Sequence, residues 1–172
     1  MVFVNQQKLC SPPLLLKWVK ELENTATNLP INNIPDVIEM DEIKKRGNRV
    51  LIWLSYARNR GKVVAYKIGI SGDNAISLYN ETKQKVCNIG RIYTDGNSCY
   101  SSKFSAIGIS DLHFIAKGKS KTHMIEAVNS SIRDNLARFN RKSKRYSKSI
   151  ELLDATLFIF FFLKQYKTSI LN

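Results

Sequence analysis

Two apolar runs, "NRVLIWLSYAR" (48–58) and "GKVVAYKIGI" (61–70), are separated only by Asn59 and Arg60. So short a link cannot house a crossover helix, so the runs must pair antiparallel as a hairpin. A third run, "DVIEMDEI" (36–43), precedes them, and Gly47 lies in the break. All three are rich in β-branched and aromatic residues, the composition of strands. The period then changes. "NAISLYNETKQKVC" (74–87) carries Ile76, Tyr79 and Val86 at helical spacing. A strand at 91–94, a short helix at 97–106 and a strand at 112–116 follow, then helices at 121–139 and 149–166. Strands followed by alternating helices and strands predict an α/β fold with a mixed five-stranded sheet flanked by helices.

Ahead of the strands, "PPLLLKWVKELEN" (12–24) reads as a helix opened by Pro12 and Pro13, and "TATNLPINNIP" (25–35) as a linker. This predicts an N-terminal helix and linker (1–35) before a principal domain (36–172). A chain of 172 residues suffices for one proper core. Its charge is uneven: of the net +13, residues 117–148 hold +8, from ten basic and two acidic residues. Such a concentration favours a polyanionic partner. The three cysteines, Cys10, Cys87 and Cys99, form no Cys-x-x-Cys pair, which argues against a zinc ribbon or disulfide framework and fits a reducing cytosol. The N-terminal residues lack the basic-then-apolar pattern of a signal peptide, so none is expected. "LFIFFFL" (157–163) falls far short of the ~20 residues needed to span a bilayer, so it is expected to be a core-facing helix and no membrane role follows.

Three acids stand out against this background. In "RIYTDGNSCY" (91–100) the strand ends at Asp95, with Gly96 expected to let the chain turn sharply. In "VIEMDEI", alternation puts Glu39 and Asp41 on one face, and Ile38, Met40 and Glu42 on the other. Asp41 is either on the solvated face of an edge strand or, if the strand is central, in need of a partner such as a divalent cation. On the long helix, Ile125, Val128, Ile132, Leu136 and Phe139 form an apolar stripe, while Glu126, Asn129, Ser130 and Arg133 form a polar row. That row is either solvated or turned toward the strand-end carboxylates. Asp41, Asp95 and Glu126, separated by 54 and 31 residues, offer hard oxygen ligands from three elements. Such a set suits two Mg²⁺ ions about 4 Å apart in phosphoryl transfer.

The segments "IEMDE" (38–42), "VLIWLSYARNRGKVVAYKIG" (50–69), "YTDG" (93–96), "HMIEAVNSSIRDNLARFNRKS" (123–143) and "YSKSIELLDA" (146–155) together resemble the catalytic region of DDE transposases of the insertion sequence one family. The resemblance runs from about 36 to 166, with Ile125, Glu126, Asn129, Arg133, Lys142, Ser147 and Lys148 fitting in order. Two departures stand out: "DEIKKRGN" (41–48) lacks an aromatic-rich stretch, and Asn97 replaces the aromatic that commonly follows the "TDG" turn.

The resemblance implies a ribonuclease H-like fold and a DNA transposase. Asp41, Asp95 and Glu126 would hold two Mg²⁺ ions, with Mn²⁺ as substitute. Asn129, Arg133 and His123 would serve as accessory residues. Arg138, Arg141, Lys142, Lys144, Arg145 and Lys148 would grip the DNA backbone. The implied partners are double-stranded DNA at element ends and target, and further copies of the chain on paired ends. A zinc-finger and helix-turn-helix reader, separate or fused by frameshifting, is a further implied partner; the place of action would be the cytoplasmic nucleoid. Three functions are compatible with these residues: a strand transferase, a nuclease of the same fold, and an inactive DNA-binding relic.

Overall fold

The computed structural model describes residues 14, 17, 34–44, 50–118, 121–136 and 149–170. The chain divides into two compact units, Leu29–Lys148 on one side and the terminal segments Met1–Asn28 and Ser149–Asn172 on the other. The first unit holds the sheet: β1 (Asp36–Lys44), β2 (Leu51–Ala57), β3 (Lys62–Gly69), α1 (Asn74–Val86), β4 (Ile89–Thr94), α2 (Ser98–Ala106), β5 (His113–Ile115) and α3 (His123–Asn135). The second contains α4 (Ile150–Ile170), in which Leu153, Ala155, Leu157 and Phe161 are buried. None of the described helices is long and apolar enough to cross a membrane.

The strand order is β3-β2-β1-β4-β5. β1, β2 and β3 pair antiparallel as the short links require, whereas β4 joins β1 in parallel and β5 joins β4 in parallel. β1 is therefore the central strand, which removes the edge-strand reading of its acids. Period-two alternation then sorts its residues. Ile38 and Met40 enter a core with Trp53, Ala57 and Ile92, closed by Leu78 and Tyr79 of α1 and by Tyr100 and Phe104 of α2. Glu39, Asp41 and Ile43 take the opposite face, where α3 packs on β1 and β2.

Two local expectations change. The long helix ends at Asn135, with Leu136 already non-helical, so the apolar stripe is shorter than its periodicity suggests; Phe139 lies outside the described residues. Gly96 does not use glycine's conformational freedom: it lacks the positive φ found at Gly61, Gly108 and Gly118, and a Cβ there would meet open space. The turn is held by Asp95 instead, whose Oδ1 accepts the Asn97 backbone N–H at 3.0 Å.

Candidate metal centre

β1 and β4 run parallel and side by side, so their carboxyl ends open into one crevice, the usual ligand position in such sheets. Asp41 directly follows Met40, the last β1 residue paired with β4, and Asp95 directly follows β4. Glu42, Asp41 and Asp95 each bring one carboxylate oxygen within 4.8 Å of the others.

Neutral groups fix the orientation of each carboxylate. Asp41 Oδ1 accepts the Glu42 N–H at 2.8 Å, and its Oδ2 accepts Asn129 Nδ2 from α3 at 2.7 Å. Asn97 serves three groups at once. Its backbone N–H goes to Asp95, its Nδ2 donates to Glu42 Oε1 at 2.6 Å, and its Oδ1 caps α2 by accepting the Cys99 N–H at 3.0 Å. The residue that departs from the resembled pattern thus joins two of the three converging acids. Glu126 stands beside the trio rather than within it, its Oε1 accepting the Thr122 hydroxyl at 3.2 Å. Its charge nevertheless reaches Asp41.

The electrostatics are those of crowded, partly dehydrated anions. Burial pushes the Asp41 carboxyl up from 3.8 to about 7; the Glu42 N–H opposes the shift, and the charges of Glu42, Asp95 and Glu126 add to it. Burial also raises Glu42, against its hydrogen bond from Asn97 and with the Asp95 charge adding. The Tyr100 hydroxyl, fully buried nearby, is raised well above its usual range by burial and by Glu42 and Asp41. The donors fit a hard divalent cation: they are carboxylate oxygens, two from β1 and one from the turn after β4. Among the described residues, Glu42 Oε2 and Asn129 Oδ1 are buried without a hydrogen-bond partner.

Of the accessory residues expected from sequence, Asn129 is buried against Asp41 instead of lying in a solvated row, while His123 and Arg133 are exposed. Arg138, Arg141, Lys142, Lys144, Arg145 and Lys148 lie outside the described residues. The sequence alone does not single out Glu42 as part of the site. Alternation places it on the face opposite Asp41, but the pairing of β1 with β4 stops at Met40, and beyond that point carboxylates from both faces reach Asp95.

A family model for IS1 transposase matches residues 37–167. The chain belongs to the IS1 transposase family. It is 29% identical over 157 residues to the insertion element IS1 4 protein InsB of Escherichia coli (strain K12), covering 86% of this chain and 89% of that one. With the insertion element IS1 protein InsB of Shigella flexneri it shares 31% identity over 137 residues, or 75% and 96% of the two chains. Its fold is ribonuclease H-like. A chain of the simian T-cell lymphotropic virus intasome, solved in complex with the PP2A regulatory subunit B56 gamma, superposes with a TM-score of 0.53 at 14% identity, covering 74% of this chain and 49% of that one. Within this transposase family member, the acid cluster therefore sits where parallel strands of an α/β sheet present their ligands.

Proposed function

We propose that the chain catalyses divalent-metal-dependent cleavage and strand transfer of insertion-element DNA. The convergence of Asp41, Glu42 and Asp95 at the carboxyl ends of two parallel strands carries this reading. Asp41, Asp95 and Glu126 are the three principal ligands, and Glu42 is a fourth carboxylate in the same crevice. Bound Mg²⁺, or Mn²⁺ in its place, supplies Lewis acidity to both the attacking and the leaving oxygen of an in-line phosphoryl displacement.

The chain's own residues prepare that chemistry. Asp41 must lose a proton that burial makes it retain to about pH 7, and Asn129 keeps its Oδ2 oriented. Asn97 holds Asp95 and Glu42 at a fixed separation. His123 and Arg133, toward opposite ends of α3, would meet phosphates, and the basic residues from Arg138 to Lys148 would extend the contact along the DNA backbone. Assembly on paired element ends, with a zinc-finger and helix-turn-helix reader supplying sequence recognition at the nucleoid, completes the proposal.

Incubation with Mg²⁺ or Mn²⁺ and a labelled element-end duplex tests it. Joined strand-transfer products are expected. Nicking without joining would indicate a nuclease, and a folded protein giving no metal-dependent product would indicate a relic. Asp95→Asn should abolish product by at least ~10³-fold while sparing DNA affinity, because it removes a ligand and no phosphate contact.

A further inference from the structure

Glu39 is fully buried on the central strand, two residues before Asp41. One of its oxygens accepts Arg58 Nε at 2.6 Å; the other accepts the backbone N–H of Ile125, in the first turn of α3, at 2.9 Å. Arg58 also donates Nη2 to the Lys121 carbonyl at 2.6 Å, just ahead of that helix. Its guanidinium lies 5.3 Å from the centre of the Tyr93 ring on β4, two residues before Asp95. One ion pair therefore touches the elements that carry Asp41, Asp95 and Glu126.

The helix start gives this pair its meaning. The first N–H groups of a helix have no partner within it, and a side chain at the N-cap usually supplies one. Thr122 occupies that position in α3 but makes no cap hydrogen bond. Its hydroxyl goes to Glu126, and Glu39 supplies an anionic acceptor from the sheet instead. A local cap would fix the helix only to its own chain direction. Glu39 fixes the helix to β1, and the bonded amide belongs to the residue immediately before Glu126. Stability alone is a weak reason for such an arrangement, since a buried ion pair is often no better than an apolar replacement.

We infer that Glu39 and Arg58 are positioning residues that set Glu126 against Asp41 by fixing the first turn of α3 to the sheet. The inference rests on the carboxylate site proposed above, with Glu126 as one of its ligands.

The test is Mn²⁺ binding, measured by calorimetry on the folded full chain, for Glu39→Gln, Glu126→Gln and the double variant, with Asp36→Asn as a buried-acid control. Glu39→Gln keeps the oxygen that accepts the Ile125 N–H but loses the charge. It should weaken Mn²⁺ binding about tenfold, as loss of groups supporting a metal's ligands commonly does. In the Glu126→Gln background the same change should have no further effect, because the residue it positions is gone. Independent, multiplying losses would overturn the inference, as would wild-type Mn²⁺ affinity in Glu39→Gln. So would an equal loss in Asp36→Asn, which would mark a general consequence of destabilisation. Should Glu39→Gln fail to fold, Arg58→Lys, which keeps a cation beside Glu39 but loses the second arm that reaches the Lys121 carbonyl, carries the same cycle from the partly exposed end of the pair. Unchanged Mn²⁺ binding in Glu126→Gln itself would instead remove the carboxylate reading, and this inference with it.

Discussion

Two buried acids on β1 meet two arginines from the β2–β3 turn, and they do different things. Glu39 pairs with Arg58 at 2.6 Å, whereas Asp36 lies 3.5 Å from Arg60 Nε and also accepts the Asn59 N–H at 3.0 Å. An odd separation along β1 sends the two acids to opposite faces of the sheet. On one face Arg60 donates to the Val86 carbonyl at the end of α1, a cation at a helix C-terminus. On the other Glu39 accepts an amide at the start of α3, an anion at a helix N-terminus. Both signs suit the helix dipole. The difference lies in position: the Asp36 pair holds a helix that carries no candidate ligand, while the Glu39 pair holds the helix that carries Glu126.

The largest effect that separates the two pairs is on stability. Arg58→Gln leaves Glu39 with no exposure and no cation, and it removes a charge-assisted hydrogen bond. A cost of about 3 kcal/mol is expected. Arg60→Gln breaks a longer contact with Asp36 that is no hydrogen bond, and a long bond to the Val86 carbonyl, and should cost about 1–2 kcal/mol. In thermal melts these correspond to falls of about 10 °C and about 4 °C. Equal falls would remove the distinction between the pairs.

The same contrast shows what could be read from sequence. The hairpin, the first three strands and the order of the later elements follow from apolar period and link length, which are local quantities, whereas the central place of β1 depends on its distant pairing with β4. Grouping Glu39 with Asp41 on one face was equally local, and correct. Their partners were not local: Arg58 is 19 residues from Glu39, and the Ile125 amide 86 residues away. For Asn129 the polar row alone leaves both a solvated face and a face turned toward the carboxylates open, because the acid that decides between them lies 88 residues earlier. Asn97 stood out only as a departure from the resembled pattern. Its bond to Glu42, 55 residues away, could not be inferred without the parallel pairing of β1 and β4.

A third acid on the strand sharpens the comparison through pH. Asp41 receives hydrogen bonds from neutral groups, the Glu42 N–H and Asn129, and its carboxyl is raised to about 7. Between about pH 4 and pH 7 the folded chain therefore holds a proton that the unfolded chain has lost. When the native state binds more protons, stability falls as pH rises. With chelator present, the melting temperature should fall by several degrees across that interval, and Asp41→Asn should flatten the slope. Mn²⁺ competes with the proton, so its affinity should rise with pH over the same range. A chelated protein whose stability rises from pH 4 to pH 7 even after correction for the Asp41→Asn baseline would contradict the placement of Asp41.

The smallest effect lies in the two turns that present these groups. Gly61 closes the turn carrying both arginines, donating its N–H to the Arg58 carbonyl at 3.1 Å with φ of +63°. An L-residue is strained there, so Gly61→Ala should cost about 1 kcal/mol and loosen both ion pairs. Gly96, beside Asp95, has an ordinary φ and room for a Cβ. Gly96→Ala should change stability by no more than about 0.5 kcal/mol. Its removal also leaves the Asp95–Asn97 bond intact, because that bond uses a carboxylate and a backbone N–H on either side of it. Unchanged Mn²⁺ affinity in Gly96→Ala is therefore expected. A loss comparable to that of an Asn97 variant would mean that glycine, rather than the Asp95 carboxylate, shapes the turn at the metal centre.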